Sequence, residues 1–142
     1  DLGSVSILTL ANESYEPGVE FIVSDALRRE FLRRGALVVT EESGRADLVL
    51  HGAVLPVETS GRSFSSVALI LEYELTLSLD LTATRRDGSD LPMGANALRG
   101  SERYLASADV EATRKNREEA LRRVAGVLAG RIHDTLAEVL TP

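Results

Sequence analysis

From Leu69 to Ala83 every odd-numbered position is apolar: Leu69, Leu71, Tyr73, Leu75, Leu77, Leu79, Leu81 and Ala83. Between them stand Ile70, Glu72, Glu74, Thr76, Ser78, Asp80 and Thr82, a set that is polar but for Ile70. A period of two sorts these residues onto opposite faces of one strand, an apolar face for a core and a polar face for water. At about 3.3 Å per residue the strand is roughly 50 Å long, well beyond the usual length of about five or six residues. A small domain does not need that reach for its own core. The excess points to docking or carrying rather than to catalysis.

The period changes on the N-terminal side. Val5, Ile7, Leu8 and Leu10 mark a short first strand over Ser4 to Leu10, followed by the turn formers Ala11-Asn12-Glu13-Ser14. Val19, Ile22, Val23, Ala26, Leu27 and Phe31 then recur at spacings of three and four, the stripe of an amphipathic helix. Pro17 and Gly18 open that helix, with the proline in the first turn where its missing N–H costs nothing. Gly35 stops it behind Arg33-Arg34, cations at the negative helix end. Ala36 to Thr40 reads as a second short strand and Glu41 to Arg45 as a polar turn around Gly44. Ala46 to Glu58 carries Leu48, Val49, Leu50, Val54, Leu55 and Val57, apolar on both faces, which suits a strand covered on both sides. Thr59 to Ser63 reads as a flexible loop leading into the long strand.

Beyond the long strand, Arg85-Arg86-Asp87-Gly88-Ser89 holds the Asp-Gly signal of a hairpin turn. The return strand is expected over Leu91 to Ala106, with Pro92, Gly94 and Gly100 marking an edge position and bulges. Asp109 is a good N-cap for a last helix that runs to Leu140, with Leu121, Val124, Ala125, Leu128, Ile132, Leu136 and Val139 on its stripe. The first turns of that helix, Arg114 to Glu119, are polar nearly all round and are expected to project beyond the sheet. The element order is then β-α-β-β-β-β-α, or β-α-β-β-β-α if Ala36 to Thr40 is only a lead-in. The fold class that follows is α+β: a two-layer α/β sandwich, two helices packed on one face of a mixed four-stranded sheet with one very long central hairpin. With 142 residues, no internal repeat and no long linker, residues 1–142 are expected to form a single domain.

Composition narrows the function. A net charge of −6 leaves no obvious basic face, so nucleic acid is not an expected partner. Aromatics at 4% and the absence of Trp argue against a base- or sugar-stacking surface. Without cysteine there is no disulfide, thiol chemistry or cysteine zinc site. No apolar run is long enough for a membrane-spanning helix. The chain opens with Asp1-Leu2-Gly3 just ahead of a strand, as if a leader or anchoring residue had been removed.

No constellation reads as an enzyme site, and no cofactor or metal is implied. His51 and His133 lack a second ligand at metal spacing, and no serine sits in a nucleophile-elbow pattern. Glu72, Glu74 and Asp80 share the polar face of the long strand, where carboxylates serve to keep a face solvated. The arginines carry more. Arg62 stands at one end of the long strand, Arg85 and Arg86 at the other, and Arg99 and Arg103 on the return strand. Guanidinium groups near a flat sheet bind phosphate or carboxylate in bidentate fashion, although edge protection and solubility alone also explain such charges.

Several segments resemble, in order, the lipopolysaccharide-assembly lipoproteins of the LptE (RlpB) family. They are Leu10-Ala11-Asn12-Glu13-Ser14-Tyr15-Glu16-Pro17-Gly18-Val19-Glu20, the helix end Leu27 to Gly35, and Ala46-Asp47-Leu48-Val49-Leu50-His51-Gly52. Tyr73 on the long strand, Tyr104 on the return strand and Asn116-Arg117-Glu118-Glu119-Ala120-Leu121 complete the set. The resemblance implies a non-enzymatic lipoprotein at the periplasmic face of the outer membrane, lipid-anchored through an N-terminal cysteine that this sequence does not contain. It implies a plug in the lumen of an LptD-type barrel that assists barrel assembly and lipopolysaccharide delivery to the outer leaflet. Lipopolysaccharide itself is an implied partner, with Arg62, Arg99 and Arg103 as the candidate contacts to its phosphates. The opening strand, helix and Ala46 to Gly52 are also similar to periplasmic accessory lipoproteins of the curli-secretion and peptidoglycan-synthase-activator kind, and the long 67–106 hairpin separates the two.

Overall fold

The computed structural model describes residues 3–64, 70–91 and 93–140, with the Ile70 side chain left aside. Its organising element is the long strand, β6 (Ile70–Arg85), with Leu75, Leu77, Leu79, Leu81 and Ala83 all buried on one face. Leu69 lies outside the described residues, and the strand runs past Ala83 to Arg85. Two strands follow one another along one side of β6. These are β4 (Leu48–Val54), antiparallel from Leu48 opposite Arg85 to Val54 opposite Leu79, and β5 (Glu58–Phe64), which faces the Ile70 end. Along the other side lie β7 (Asp90–Leu91) and β8 (Arg99–Leu105), also antiparallel.

Outside β4 the pairing turns parallel. There stand β1 (Ser4–Ile7) and β2 (Ala11–Asn12), with β3 (Val38–Val39) beyond β1. Two helices, α1 (Val19–Arg34) and α3 (Val110–Leu140), cover the apolar face of this mixed sheet, and α2 (Ala95–Leu98) is a single turn leading into β8. Leu27 and Phe31 from α1 meet Leu121, Val124, Leu128, Ile132 and Leu136 from α3 above the β6 leucines, forming one core. The α+β sandwich expected from the periodicities is therefore present, with more and shorter strands around the long one.

Helix ends follow the local chemistry. Gly18 (φ 87°) is the N-cap of α1, so Pro17 stands just ahead of the helix rather than in its first turn. Gly35 (φ 67°) ends α1 and donates its N–H to the Phe31 carbonyl at 3.1 Å. Asp109 caps α3, its carboxylate accepting the Glu111 N–H at 3.0 Å. The first turns of α3 are polar as expected but do not project beyond the sheet: Asn116 donates to the Leu105 carbonyl and Arg117 to Thr59 and Tyr104.

Several sequence expectations give way. Thr59 to Ser63 is strand β5, not a flexible loop: its polar side chains suit a sheet edge, where pairing with β6 satisfies the backbone and no apolar pattern is required. The single return strand over Leu91 to Ala106 is split into β7, α2 and β8, because Gly94 caps a helical turn instead of forming a bulge. Gly100 serves close approach: a Cβ there would lie 3.0 Å from Val124 and 3.2 Å from Leu128, so its absence lets α3 settle on β8. The register shifts lie in β5, between Gly61 and Ser63 and between Ser63 and Phe64. Pro92 lies outside the described residues. In β4, Leu48, Leu50 and Val54 are buried under the helices while Val49 and His51 are half-buried on the helix-free side, where only Ala53 is buried, so that strand is fully covered on one face and partly on the other.

Candidate functional site

The even-numbered side chains of β6 stand on the face that no helix covers. Pairing sets their neighbours. Glu74 lies between Ser60 of β5 and Arg103 of β8, Thr76 between Glu58 and Ser101, and Ser78 beside Arg99. The three arginines singled out from the sequence thus share one face, with Arg62 placed in β5 itself rather than in a loop.

Each arginine is already engaged. Arg62 donates to Glu74 at 2.7 Å, Arg103 lies 3.2 Å from Glu72 and 3.6 Å from Glu74, and Arg99 lies 3.6 Å from Glu58. The hydrogen bond from Arg62 holds the Glu74 carboxyl below the usual carboxylate range, and the charge of Arg103 works in the same direction. Thr76 and Ser101 join their hydroxyls at 2.8 Å. A depression of about 320 Å³ bordered by Glu58, Ser60, Arg62, Thr76 and Arg99 lies within this mosaic. Three guanidinium groups against three carboxylates make the patch neutral, half-exposed and wettable. It is not a concentrated anion site. Glu58 was not apparent from the sequence because it reads there as the end of the strand from Ala46 and not as the start of β5, which hides its cross-strand relation to Thr76.

The motif residues do different work. Asn12 donates from Nδ2 to the Glu16 carbonyl at 2.7 Å and accepts both the N–H and the hydroxyl of Ser14. Ser14 in turn accepts the Glu16 N–H at 3.1 Å. Asn12, Ser14 and Glu16 therefore build the tight corner from β2 into α1. Asp47 accepts the Ser4 N–H at 2.8 Å and lies 3.0 Å from Arg86, contacts that hold its carboxyl below the usual range. At Gly52 an added Cβ would lie 1.9 Å from the Asp80 carbonyl, so β4 passes β6 there with no room for a side chain.

Arg117 ties four segments together. It donates to Thr59 at 2.7 Å and to the Tyr104 hydroxyl at 3.1 Å, pairs with Glu16, and lies over the Tyr104 ring, which stacks on Tyr73. Burial opposes the Arg117 charge, but the bonds to Glu16 and Tyr104 more than offset it and raise its pKa. The histidines stand apart. His51 bonds Thr84 at 2.9 Å, and His133 is buried edge-on to Phe31 at 4.9 Å. Among the described residues no group of three or more His, Asp or Glu gathers as a metal site would require, and no helix is long and apolar enough to cross a membrane.

Comparison with known proteins matches this chain, over residues 2–136, to the family model described as LptE, lipopolysaccharide-assembly. No curated protein matches it. Among solved structures it is similar to the rare lipoprotein B from Shewanella oneidensis, at 17% identity and TM-score 0.63 over 92% of this chain and 94% of that one. It is likewise similar to a minor lipoprotein from Acinetobacter baumannii, at 17% identity and TM-score 0.60 over 98% and 93%.

Proposed function

The chain belongs to the LptE family, a non-enzymatic family of lipopolysaccharide-assembly lipoproteins, and from that membership we propose that it acts as the plug and assembly partner of an LptD-type outer-membrane barrel. Residues 1–142 work as one domain in this reading, lipid-anchored at the periplasmic face of the outer membrane. They assist transport of lipopolysaccharide and its insertion into the outer leaflet. The match over residues 2–136 favours this role over the curli-secretion or peptidoglycan-synthase-activator alternative.

The observation that carries the reading is the helix-free face of β5, β6 and β8. A barrel lumen is polar, so a plug surface has to be long, wettable and free of a strong field of one sign. The face meets those demands from Glu72 to Ser78 of the 16-residue strand, with its cations matched by carboxylates. The apolar side is sealed by α1 and α3. Co-expression with the cognate barrel should yield a one-to-one complex that survives detergent purification; separate elution of the two chains overturns the reading.

Within it, Arg62, Arg99 and Arg103 are proposed to meet lipopolysaccharide phosphates. A phosphate arriving there has to displace a carboxylate, because Glu58, Glu72 and Glu74 hold those guanidinium groups beforehand.

A further inference from the structure

The outer edge of β5 is open. Along β6 the backbone groups alternate sides: the Ser78 carbonyl accepts Leu55 N–H on the β4 side, and the Leu71 carbonyl accepts Ala106 N–H on the β8 side. Even-numbered residues of β6 therefore bond toward β4 and β5, and odd-numbered ones toward β7 and β8. Glu58 and Ser60 oppose Thr76 and Glu74, so their main chains point inward. Thr59 and Gly61 oppose Leu75 and Tyr73, so their N–H and C=O groups point outward. Among the described residues these outward groups have no partner.

Parts of two other edges are shielded by side chains. On the outer side of β8, Arg123 donates to the Arg103 carbonyl at 3.0 Å and Asn116 to the Leu105 carbonyl at 3.1 Å. Beside β1, Arg28 donates to the Ile7 carbonyl at 3.0 Å. The β5 edge carries neither Lys nor Pro; Glu58, Arg62 and the register shifts after Gly61 confine its open stretch to Thr59 to Gly61, whose small side chains leave the backbone within reach. It also continues the line of β2, which fills the same row beside β4 up to Val54.

We propose that this β5 edge receives an extended segment of the barrel partner by strand addition, with the main chains of Thr59 and Gly61 exchanging hydrogen bonds with it. The inference rests on the plug reading above and names the contact that reading leaves unspecified. The surface is continuous, since Glu58 and Arg62 belong both to the edge strand and to the polar face. Charge also limits the occupant. Glu58 and Arg62 flank Ser60, so an antiparallel segment fits when it sets a basic residue against Glu58 and an acidic one against Arg62. A second copy of β5 carries the same pattern and is the competing occupant.

Amide hydrogen exchange of the full chain, free and in the detergent-purified complex with its barrel, tests the proposal alongside the variant Gly61→Pro. The Gly61 N–H points outward, so proline there removes a docking donor without breaking a bond to β6. The expected result is exchange at Thr59 and Gly61 slowed at least about tenfold in the complex. Barrel recovery by Gly61→Pro should drop about tenfold, the effect of one or two net hydrogen bonds, with a thermal midpoint close to that of the parent. If the complex forms but those two amides exchange as in the free chain, the edge proposal is overturned and the plug reading stands. If the parent chain elutes apart from the barrel, both fall. A concentration-dependent dimer of the free chain that Gly61→Pro abolishes assigns the edge to a second copy and overturns the proposal. Because the amide comparison uses the parent sequence, it decides the question even if the proline variant fails to fold.

Discussion

At the scale of single residues, the segments that identify the family are structural fasteners, and Arg117 shows why. Its side chain is three-quarters buried, 24% exposed, and it reaches Thr59, Tyr104 and Glu16 from one position on α3. Those partners come from β5, β8 and the corner ahead of α1, so one guanidinium fixes the helix layer to the sheet at the end where α3 outruns its buried stripe. Removing it strands the Glu16 carboxylate and the Tyr104 hydroxyl in a half-buried site, and the second loss outweighs the bonds themselves. Arg117→Ala should therefore destabilise the fold by about 2–3 kcal/mol, read as a lower midpoint in urea unfolding. Arg117→Lys should recover less than half of that, because a single compact ammonium cannot span the acceptors that the two terminal nitrogens of Arg117 reach separately. A midpoint unchanged in the alanine variant would mean that Glu16 and Tyr104 rehydrate freely.

At the scale of elements, legibility followed hydrophobic periodicity. β6, α1 and α3 announce themselves because burial of one face forces a repeat of two or of 3.6 on the sequence. β5 announces nothing: both its outer edge and its open face meet water, so Thr59-Ser60-Gly61-Arg62-Ser63 carries no apolar code and its pairing is written only in three dimensions. The split of the return strand was hidden for a related reason, since Gly94 and Gly100 look alike in sequence while one caps a turn and the other admits α3. Arg62, Arg99 and Arg103 were found from their charge, whereas their carboxylate partners needed the register. The register itself is testable. Leu77 is wholly buried on the helix side, so Leu77→Asp buries an unpaired charge and should abolish folding. Glu74→Lys on the opposite face loses two arginine contacts and gains repulsion, and should lower the urea midpoint only slightly beside the loss of folding in Leu77→Asp. It should also blunt the acid end of the stability curve. Folding lowers the Glu74 pKa from its ordinary 4.5, so its contribution is complete above that value and fades as pH falls through the depressed one. Tolerance of Leu77→Asp would mean that the strand is slipped by one residue.

At the scale of the whole molecule, the decisive feature is segregation: the helices take one side of the sheet and leave the other with paired charges and hydroxyls from Glu72 to Ser78, beside exposed Phe64 and Leu105 toward the Ile70 end. A chain of net charge −6 cannot attract an anionic lipid through its overall field, so any phosphate contact has to be local and competitive. Glu58, Glu72 and Glu74 set the terms of that competition, and Glu74, ionised at neutral pH, holds Arg62. Reversing Arg62, Arg99 and Arg103 together to Glu should therefore weaken retention of lipopolysaccharide in a pull-down and make what remains less sensitive to salt. The opposite variant is the sharper test. Glu72→Gln with Glu74→Gln removes the internal competitors while leaving the guanidinium groups in place, and should strengthen retention and steepen its salt dependence. If neither pair of changes moves lipopolysaccharide binding, the arginines serve only to hold the sheet and balance its face. The long strand then works through its shape and wettability alone.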